Sequence, residues 1–315
     1  MTDKLTPLSS DNISTYSIKE RASKVSVQDF SKPFQKGSGV RQFLNNLPEI
    51  LAARDFKEVV KAISQAHKSN KMVVFGLGAH VIKVGLSPII IDLMERGIIK
   101  GLAFNGAGVV HDFEIAFAGK TSEDVDSEID TGTFGMAEET GRIINEAINE
   151  GVKKGLGIGK SVGDMIAKSD FPYKELSIFA ACHRLDIPAT VHVALGTDIF
   201  HFHPGSDWSV LGKGGNIDFR LFSGLVSSME EGVYVNVGSA VVLPEIFLKA
   251  LTVVRNLGHN VTKLTTVNMD FIQHYRPLTN VVRRPTQKGG KGYSITGHHE
   301  IMVPLLAAAL IEELG

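Results

Sequence analysis

The sequence predicts an α/β fold, a doubly wound and mostly parallel sheet of six strands with helices on both faces. Three observations carry that expectation. First, short apolar runs of strand length recur at Val73–Phe75, Leu102–Phe104, Val191–Leu195, Val233–Val237, Leu264–Val267 and Tyr293–Ile295, with apolar residues at helical spacing between most of them. That alternation is the pattern of parallel strands joined by crossover helices. Second, every run breaks into glycine, asparagine, aspartate, histidine or another small or polar residue. Third, the stretch from Met72 to Asp112, MVVFGLGAHVIKVGLSPIIIDLMERGIIKGLAFNGAGVVHD, reads strand, glycine turn, helix, strand, glycine turn. This is the grammar of a βαβ unit, and its glycines fall where the backbone must turn sharply and can approach a ligand closely.

Taken in order, residues 1–38 are rich in Ser, Thr, Lys and Asp and only weakly periodic, and read as an extended arm able to lie along a neighbouring subunit. Residues 39–315 read as one α/β domain. Apolar positions from Gly39 to Ala66 (Phe43, Leu47, Ile50, Phe56, Val59, Ile63) recur at helical spacing before the first strand. A helix follows from about His80 to Arg96, and a short one carries Phe113, Ile115 and Phe117 after Asp112. The segment GKTSEDVDSEIDTGTFG (119–135) is an acidic loop, read as a solvated surface loop, with a lure for a cationic substrate as the sharper reading. Helical patterns cover Met136–Val152, Val162–Lys168 and Tyr173–Leu185, then Asn216–Glu231, Pro244 to about Gly258, and Ile301–Leu314. The glycine-rich GLGIGKSVG at 155–163 lacks Walker spacing and follows a helix rather than a strand, so it is not read as a phosphate loop.

Composition narrows the function classes. The chain has 315 residues, 43% hydrophobic and 21% charged, with a formal net charge of -1. Near-neutral charge gives no support to nucleic-acid or membrane-surface binding. The single cysteine, Cys182, excludes an internal disulfide framework and fits a reducing cytoplasm. No run approaches the ~18 apolar residues of a membrane span, and the N-terminus carries no apolar signal core.

In a doubly wound sheet, ligands bind outside the carboxyl ends of the strands. Six clusters would converge there: Gly76–His80, Asn105–Asp112, Gly196–Asp198, Gly238–Ala240, Asn268–Asp270 and Thr296–Glu300. Gly76, Gly78, Ala79, His80, Asn105, Gly106, Ala107, Gly108, Gly238, Ser239, His298 and His299 are the candidate cofactor-binding residues. A standard G-x-G-x-x-G run with an acidic residue closing the second strand is missing, because Asn105 follows Phe104, so a dinucleotide would sit by a variant scheme. A metal-assisted hydrolase built on His201/His203 and His298/His299 is an alternative, although neither H-E-x-x-H nor C-x-x-C occurs and no metal site is assigned. Imine chemistry needs a lysine. Lys291 and Lys288 in the TQKGGKGYS stretch are the first candidates, and Lys83 is another.

The runs VVFGLGAHVIKVGLSPIIIDLMERGIIKGLAFNGAGVVHDFEIAFAG, IPATVHVALGTDIFHFH, VYVNVGSAVVLPEIFLKALTVVRNLG and GYSITGHHEIMVPLLAAALIEEL together resemble, in order, the core of deoxyhypusine synthases. The resemblance spans nearly all of the chain after the arm. It implies a Rossmann-like, NAD-binding fold in a homotetramer, and dehydrogenation of a polyamine with transfer of an aminoalkyl group to a protein lysine through an enzyme imine. It implies further that Asp198 anchors the amine, that His111 or Asp112 moves protons, that Lys291 or Lys288 traps the imine, and that His298 and His299 touch cofactor. The chain departs from the family where Val110-His111-Asp112 stands at acidic positions and only Asp112 keeps its type, and where Leu243-Pro244-Glu245 replaces a Lys-His-His run. The readings that remain are therefore an NAD-dependent amine-processing enzyme, a metal-assisted hydrolase, and a non-catalytic nucleotide-binding oligomer.

Overall fold

Six strands, all parallel, form one sheet in the order β3-β2-β1-β4-β5-β6 in the computed structural model, which describes residues 5–315. They are β1 (Val73–Leu77), β2 (Gly101–Asn105), β3 (Ala189–His192), β4 (Val233–Val237), β5 (Thr265–Asp270) and β6 (Lys291–Thr296). The chain winds outward from β1 through β2 to β3, then crosses back to lay β4 on the other side of β1. A topological switch point between β1 and β4 results, and in open α/β sheets the crevice that takes ligands lies there, outside the carboxyl ends of the strands. This is the doubly wound, Rossmann-like sheet expected from the sequence.

Both faces of the sheet are covered, which is why its strands read as nearly continuous apolar runs. On one face Val73, Phe75, Leu77, Val235, Val267 and Met269 join one buried cluster, packed by α2 (Leu51–Lys68), α4 (Ser87–Glu95), α5 (Gly106–Ala118) and α13 (His299–Leu314). On the other, Val74, Ala103 and Tyr234 meet Phe222, Leu225 and Val226 of α10 (Trp208–Ser227) and Leu243, Phe247 and Leu251 of α11 (Val242–Asn256). The long excursion between β2 and β3 carries α6 (Val125–Glu128), α7 (Glu138–Lys153), α8 (Ile158–Lys168) and α9 (Ile178–Arg184).

Several elements differ from the sequence expectation for identifiable reasons. The helix expected over His80–Arg96 is broken into α3 (His80–Lys83) and α4, because Gly85 takes a left-handed φ of 79°. The pattern over 39–66 splits into α1 (Val40–Asn45) and α2 around Pro48. Helix α10 begins eight residues before Asn216, since Asp207 caps it by accepting the N–H groups of Ser209 (2.8 Å) and Val210 (3.2 Å). Gly214 inside α10 serves packing, as a Cβ there would press on Ile158 and Val152. His201-Phe202-His203 is not a strand: Ile199–Phe202 is a 3-10 turn. A three-residue helix, α12 (Tyr275–Pro277), leads into a π-helical turn over Leu278–Arg283.

Of the arm expected over 1–38, residues 1–4 lie outside the described residues. From residue 5 it is extended, with one 3-10 turn at Val27–Asp29 capped by Ser26. It is tied to the domain by the Lys32 N–H donating to Asn46 O (3.0 Å) and the Glu49 N–H donating to Asp29 O (3.0 Å). Among the described residues no helix is long and apolar enough to cross a membrane.

Candidate active site

The switch point is built from two glycine turns that touch. After β1, the Gly78 N–H donates to Val237 O at 2.8 Å, and after β4 the Gly238 N–H donates to Met269 O at 3.1 Å. A Cβ on Gly78 would drive into the carbonyl of Gly238, so the two strand ends can lie this close only with glycine at Gly78. Gly238 is left-handed (φ 69°), and a Cβ there would stand 2.7 Å from Cε1 of His299. Gly76 serves the interior instead. The buried Tyr234 hydroxyl occupies the space of its Cβ, so it is a packing glycine within β1. Ser239 lies just before α11, its Oγ accepting the Leu243 N–H at 3.3 Å.

Beside these turns an aromatic cluster closes the β5–β6 side. His80 packs edge-on against His299 (centroids 5.3 Å apart), and Phe271 stacks on His298 at 5.8 Å with the rings 7° from parallel. Phe271 also meets His80 and His299. His298 and Phe271 are exposed, while His299 is fully buried. Neither ring nitrogen of His299 has a hydrogen-bond partner, its Nε2 standing 3.5 Å from Asp270 Oδ1. Burial, and then the neighbouring His299, lower the pKa of His80, which favours its neutral imidazole.

On the β2–β3 side, Asn105 caps α5 by accepting the Gly108 N–H at 3.2 Å. The Asp198 carboxylate lies over Gly106, where a Cβ would collide with it, and accepts the Ala107 N–H at the start of α5. Asp198 is 8% exposed, and burial pushes its carboxyl up to about 6 against the opposing bonds from Thr197 and Ala107. His201 orders this corner. Its Nδ1 accepts the N–H groups of Gly196 (3.1 Å) and Asp198 (3.3 Å), which places the proton of the neutral ring on Nε2, 3.7 Å from Asp198 Oδ2. Further along α5, His111 Nδ1 is 2.6 Å from Thr121 Oγ1, whose hydroxyl also bonds Glu114. Burial and the charge of Lys83 lower His111 to about 4, so it is neutral at physiological pH.

Three expected catalytic residues fall elsewhere. Asp112 is 0% exposed and holds the start of α9, accepting the Ser177 hydroxyl and the Ile178 (2.7 Å) and Phe179 (3.4 Å) N–H groups. Its role in the fold is therefore that of an internal helix cap. Lys291 opens β6 in register with Thr265, the first residue of β5, and lies 3.6 Å from Glu58. That is the amino-terminal edge of the sheet, five residues or ~17 Å from the Thr296 end. Lys288 sits in the turn just before it, so neither lysine reaches the crevice of its own chain. Lys83 does stand beside it on α3, where its charge acts on both His80 and His111.

The ligand set of the hydrolase alternative also fails to assemble. His201 is buried at the β3 corner, His203 packs on Gly141 of α7, and His298 and His299 lie beyond β6 at the other end of the sheet. Among the described residues no group of three or more His, Cys, Asp or Glu side chains could hold a metal ion.

Of a row of amides at the carboxyl ends of β4 and β5, sequence reasoning named Asn268 but missed Asn236 and Gln273. Asn236 donates to Ser239 O (2.9 Å) and Asn268 Oδ1 (2.7 Å), and Asn268 donates to Gln273 Oε1 (2.7 Å). It also missed Asp218, buried on α10, which accepts the Gly159 (3.0 Å) and Val191 (2.9 Å) N–H groups. That carboxyl group caps α8 within the glycine-rich 155–163 stretch, so the backbone N–H groups there are satisfied internally, in keeping with its not being a phosphate loop. The signal for the amides was visible, since asparagine is unusual in the middle of a buried strand. Asp218 had none, being one acidic residue in an amphipathic helix.

No family model matches the chain, and no curated protein matches it. Solved structures do. The cyanobacterial ArgZ, an arginine dihydrolase from the ornithine-ammonia cycle, aligns with TM-score 0.53 and 16% identity over 84% of this chain and 33% of its own. The ternary complex of AgrE with ornithine and NAD+ aligns with TM-score 0.51 and 16% identity over 84% of this chain and 34% of that one. An Entamoeba histolytica protein assigned as a deoxyhypusine synthase aligns with TM-score 0.52 and 11% identity over 90% of this chain and 96% of that one. The chain thus spans about a third of ArgZ and AgrE but nearly all of the Entamoeba protein. At these identities the likeness is one of fold, and it is the fold that the resemblance to deoxyhypusine synthases implies.

Proposed function

We propose that the chain is an NAD-dependent enzyme of the deoxyhypusine synthase type, which dehydrogenates a polyamine-like amine and passes an aminoalkyl group to a lysine. The observation that carries this reading is the pair of touching glycine turns, Gly78 and Gly238, at the switch point of a β3-β2-β1-β4-β5-β6 sheet, with the unpartnered nitrogens of His299 beside them. A backbone stripped of side chains at this point suits a pyrophosphate. A buried imidazole with no partner suits a ligand that brings its own hydrogen-bonding groups. The residues present thus fit a dinucleotide, held by Gly78, Ala79, Gly238 and Ser239, with a flat ring against His80, Phe271 and His298. AgrE, whose complex holds ornithine and NAD+, shares this fold and supports the same cofactor at that level.

Bound there, NAD would supply the hydride acceptor for the carbon beside the amine nitrogen. The chain's own residues do the rest. Asp198 presents the buried charge at the β3 corner that holds the distal ammonium of the substrate, and His201 keeps that carboxylate in place. His80, favoured as the neutral ring, takes the proton that leaves the nitrogen when the imine forms. Lys83 is the lysine at this crevice, and its amine adds to the imine carbon, expelling the departing amine. A protein lysine is then the final acceptor: its amine displaces that of Lys83 from the imine carbon, and the hydride taken up by NAD would return to that carbon to give the secondary amine. Exposed Val241, Phe271, Ile272 and Tyr275, which follow the carboxyl ends of β4 and β5, support a homo-oligomer, with the tetramer as the expected form, and the single buried Cys182 fits a cytoplasmic setting.

The test is incubation with NAD+ and spermidine, followed by NADH fluorescence. NADH production that requires both compounds supports the reading. If NAD+ binds and no amine in a panel including spermidine and ornithine reduces it, the chain is the non-catalytic nucleotide-binding oligomer instead.

A further inference from the structure

We propose that the amino-terminal edge of the sheet holds a second ligand site, a lysine-ringed cavity that takes a polyphosphate chain, free or as part of a nucleotide. The cavity measures 570 Å³ and lies where α2 meets the starts of β5 and β6. That volume is in the range of small-molecule sites. Lys61, Lys71, Lys263 and Lys291 surround it, with Glu58 and Glu231 between them. Four ammonium groups against two carboxylates leave an excess of two positive charges in one concavity, on a chain whose formal net charge is -1.

The two carboxylates fix lysines in place without cancelling that excess. Glu231 pairs with Lys71 at 2.8 Å and Glu58 with Lys291 at 3.6 Å. Glu230 is engaged by the N–H groups of Thr262 (2.6 Å) and Lys263 (3.0 Å). Among the described residues, Lys61 and Lys263 are in no ion pair. Glu231 holds its partner from a left-handed backbone (φ 62°), a conformation that is strained for a residue with a Cβ and persists only where its surroundings enforce it.

The floor and rim suit the same ligand. Ala62, Leu264 and the half-buried Tyr293 give the cavity an apolar base with one aromatic ring. On the rim Gly289 is left-handed (φ 108°), with open space at its Cβ position, so the turn presents bare backbone there. Lysine binds phosphate as a compact point charge. One carboxylate cannot engage four separated ammonium groups, whereas a chain of phosphates spreads its charge among them. The glycine-lysine stretch that fails to reach the crevice thus has a use at its own end of the sheet. Thr265 and Lys291 open β5 and β6, so the length of a strand separates this cavity from the crevice. The inference is independent of the cofactor reading.

The test is calorimetric titration of tripolyphosphate, and separately of ATP, into protein saturated with NAD+. The expected result is one anion bound per chain, with an affinity that falls as salt is raised. Lys61→Glu combined with Lys263→Glu should weaken that binding roughly tenfold or more, while Lys61→Arg with Lys263→Arg should retain it. All four substitutions are at exposed positions, and a melting curve verifies that the variants fold. Tighter binding of ATP than of tripolyphosphate assigns the site to a nucleotide with its base on Tyr293, and equal binding assigns it to the phosphate chain alone. The proposal is overturned if neither compound binds saturably, if charge reversal leaves the affinity unchanged, or if saturation with NAD+ abolishes binding seen without it.

Discussion

Replacing Asp198 by Asn removes the charge from the β3 corner while keeping its shape. The asparagine oxygen can still accept the Ala107 N–H at the head of α5, so the fold should keep its stability to within ~1 kcal/mol. Binding of a cationic amine should not survive intact. Asp198 is 8% exposed, so an ammonium paired with it is largely desolvated, and removing one partner of such a pair costs ~2–5 kcal/mol. At ~1.4 kcal/mol per tenfold, spermidine affinity should fall roughly 30-fold to several-thousand-fold. Burial holds the Asp198 carboxyl up at about 6, and only its ionised form attracts the amine. Wild-type affinity should therefore decline as pH drops below about 6, approaching tenfold per pH unit, whereas the Asn variant should lack that decline. Calorimetric titration of spermidine in the presence of NAD+, from about pH 5 to about pH 8, reads both effects. An Asn variant with wild-type affinity and a wild-type pH profile would refute the assignment of Asp198 as the amine anchor.

Other consequences concern the fold and the lysines. Lys291→Ala and Lys288→Ala should leave NADH formation unchanged, because both lysines sit at the far edge of the sheet, and a large loss of activity in either variant would require a crevice shared between chains. Burial raises Asp112 to about 6 and Asp218 to about 7, so the native state binds protons more tightly than the unfolded chain. The stability these two groups contribute is full below about pH 4 and lost as pH rises through about 6 and about 7, each group giving up ~1.4 kcal/mol per pH unit while it is protonated only in the native state. Asp218→Asn should flatten the upper part of that slope in denaturant titrations. The Tyr234 hydroxyl is buried without a partner where a Gly76 side chain would project, so Tyr234→Phe should be neutral or stabilising by ~1 kcal/mol. Gly76→Ala should cost ~1–3 kcal/mol, and combining the two should recover part of that cost.

Much of the fold was legible because a parallel sheet writes itself into the sequence. Strands buried on both faces must be apolar throughout, as at Val233–Val237, and must stop where the chain turns, as at Gly78 and Gly238. The ends of helices were less legible because tertiary groups set them. Asp218 caps α8 from a helix distant in sequence, and Asp112 caps α9 from within α5. Neither partner could be read from local spacing. For the same reason Asp112 looked catalytic: an acidic residue following a glycine turn is equally suited to a substrate or to a buried helix start. The flexible glycine-lysine stretch around Lys291 pointed to a reach into the crevice, but its place in the chain said only that it precedes β6, and a strand of six residues separates that end from the other. The crevice histidines His80, His298 and His299 were found because all three follow strand ends, and their convergence follows from strand order rather than from any motif.

The central claim is that the β1–β4 crevice binds a dinucleotide. Calorimetric titration of NAD+ into the wild-type protein and a Phe271→Ala/His298→Ala variant tests it most directly, since both side chains are exposed and their loss should spare the fold. Saturable binding of one NAD+ per chain, weakened roughly tenfold or more in the variant, is the predicted result. Absence of saturable binding, or a variant that binds as the wild type does, would contradict it.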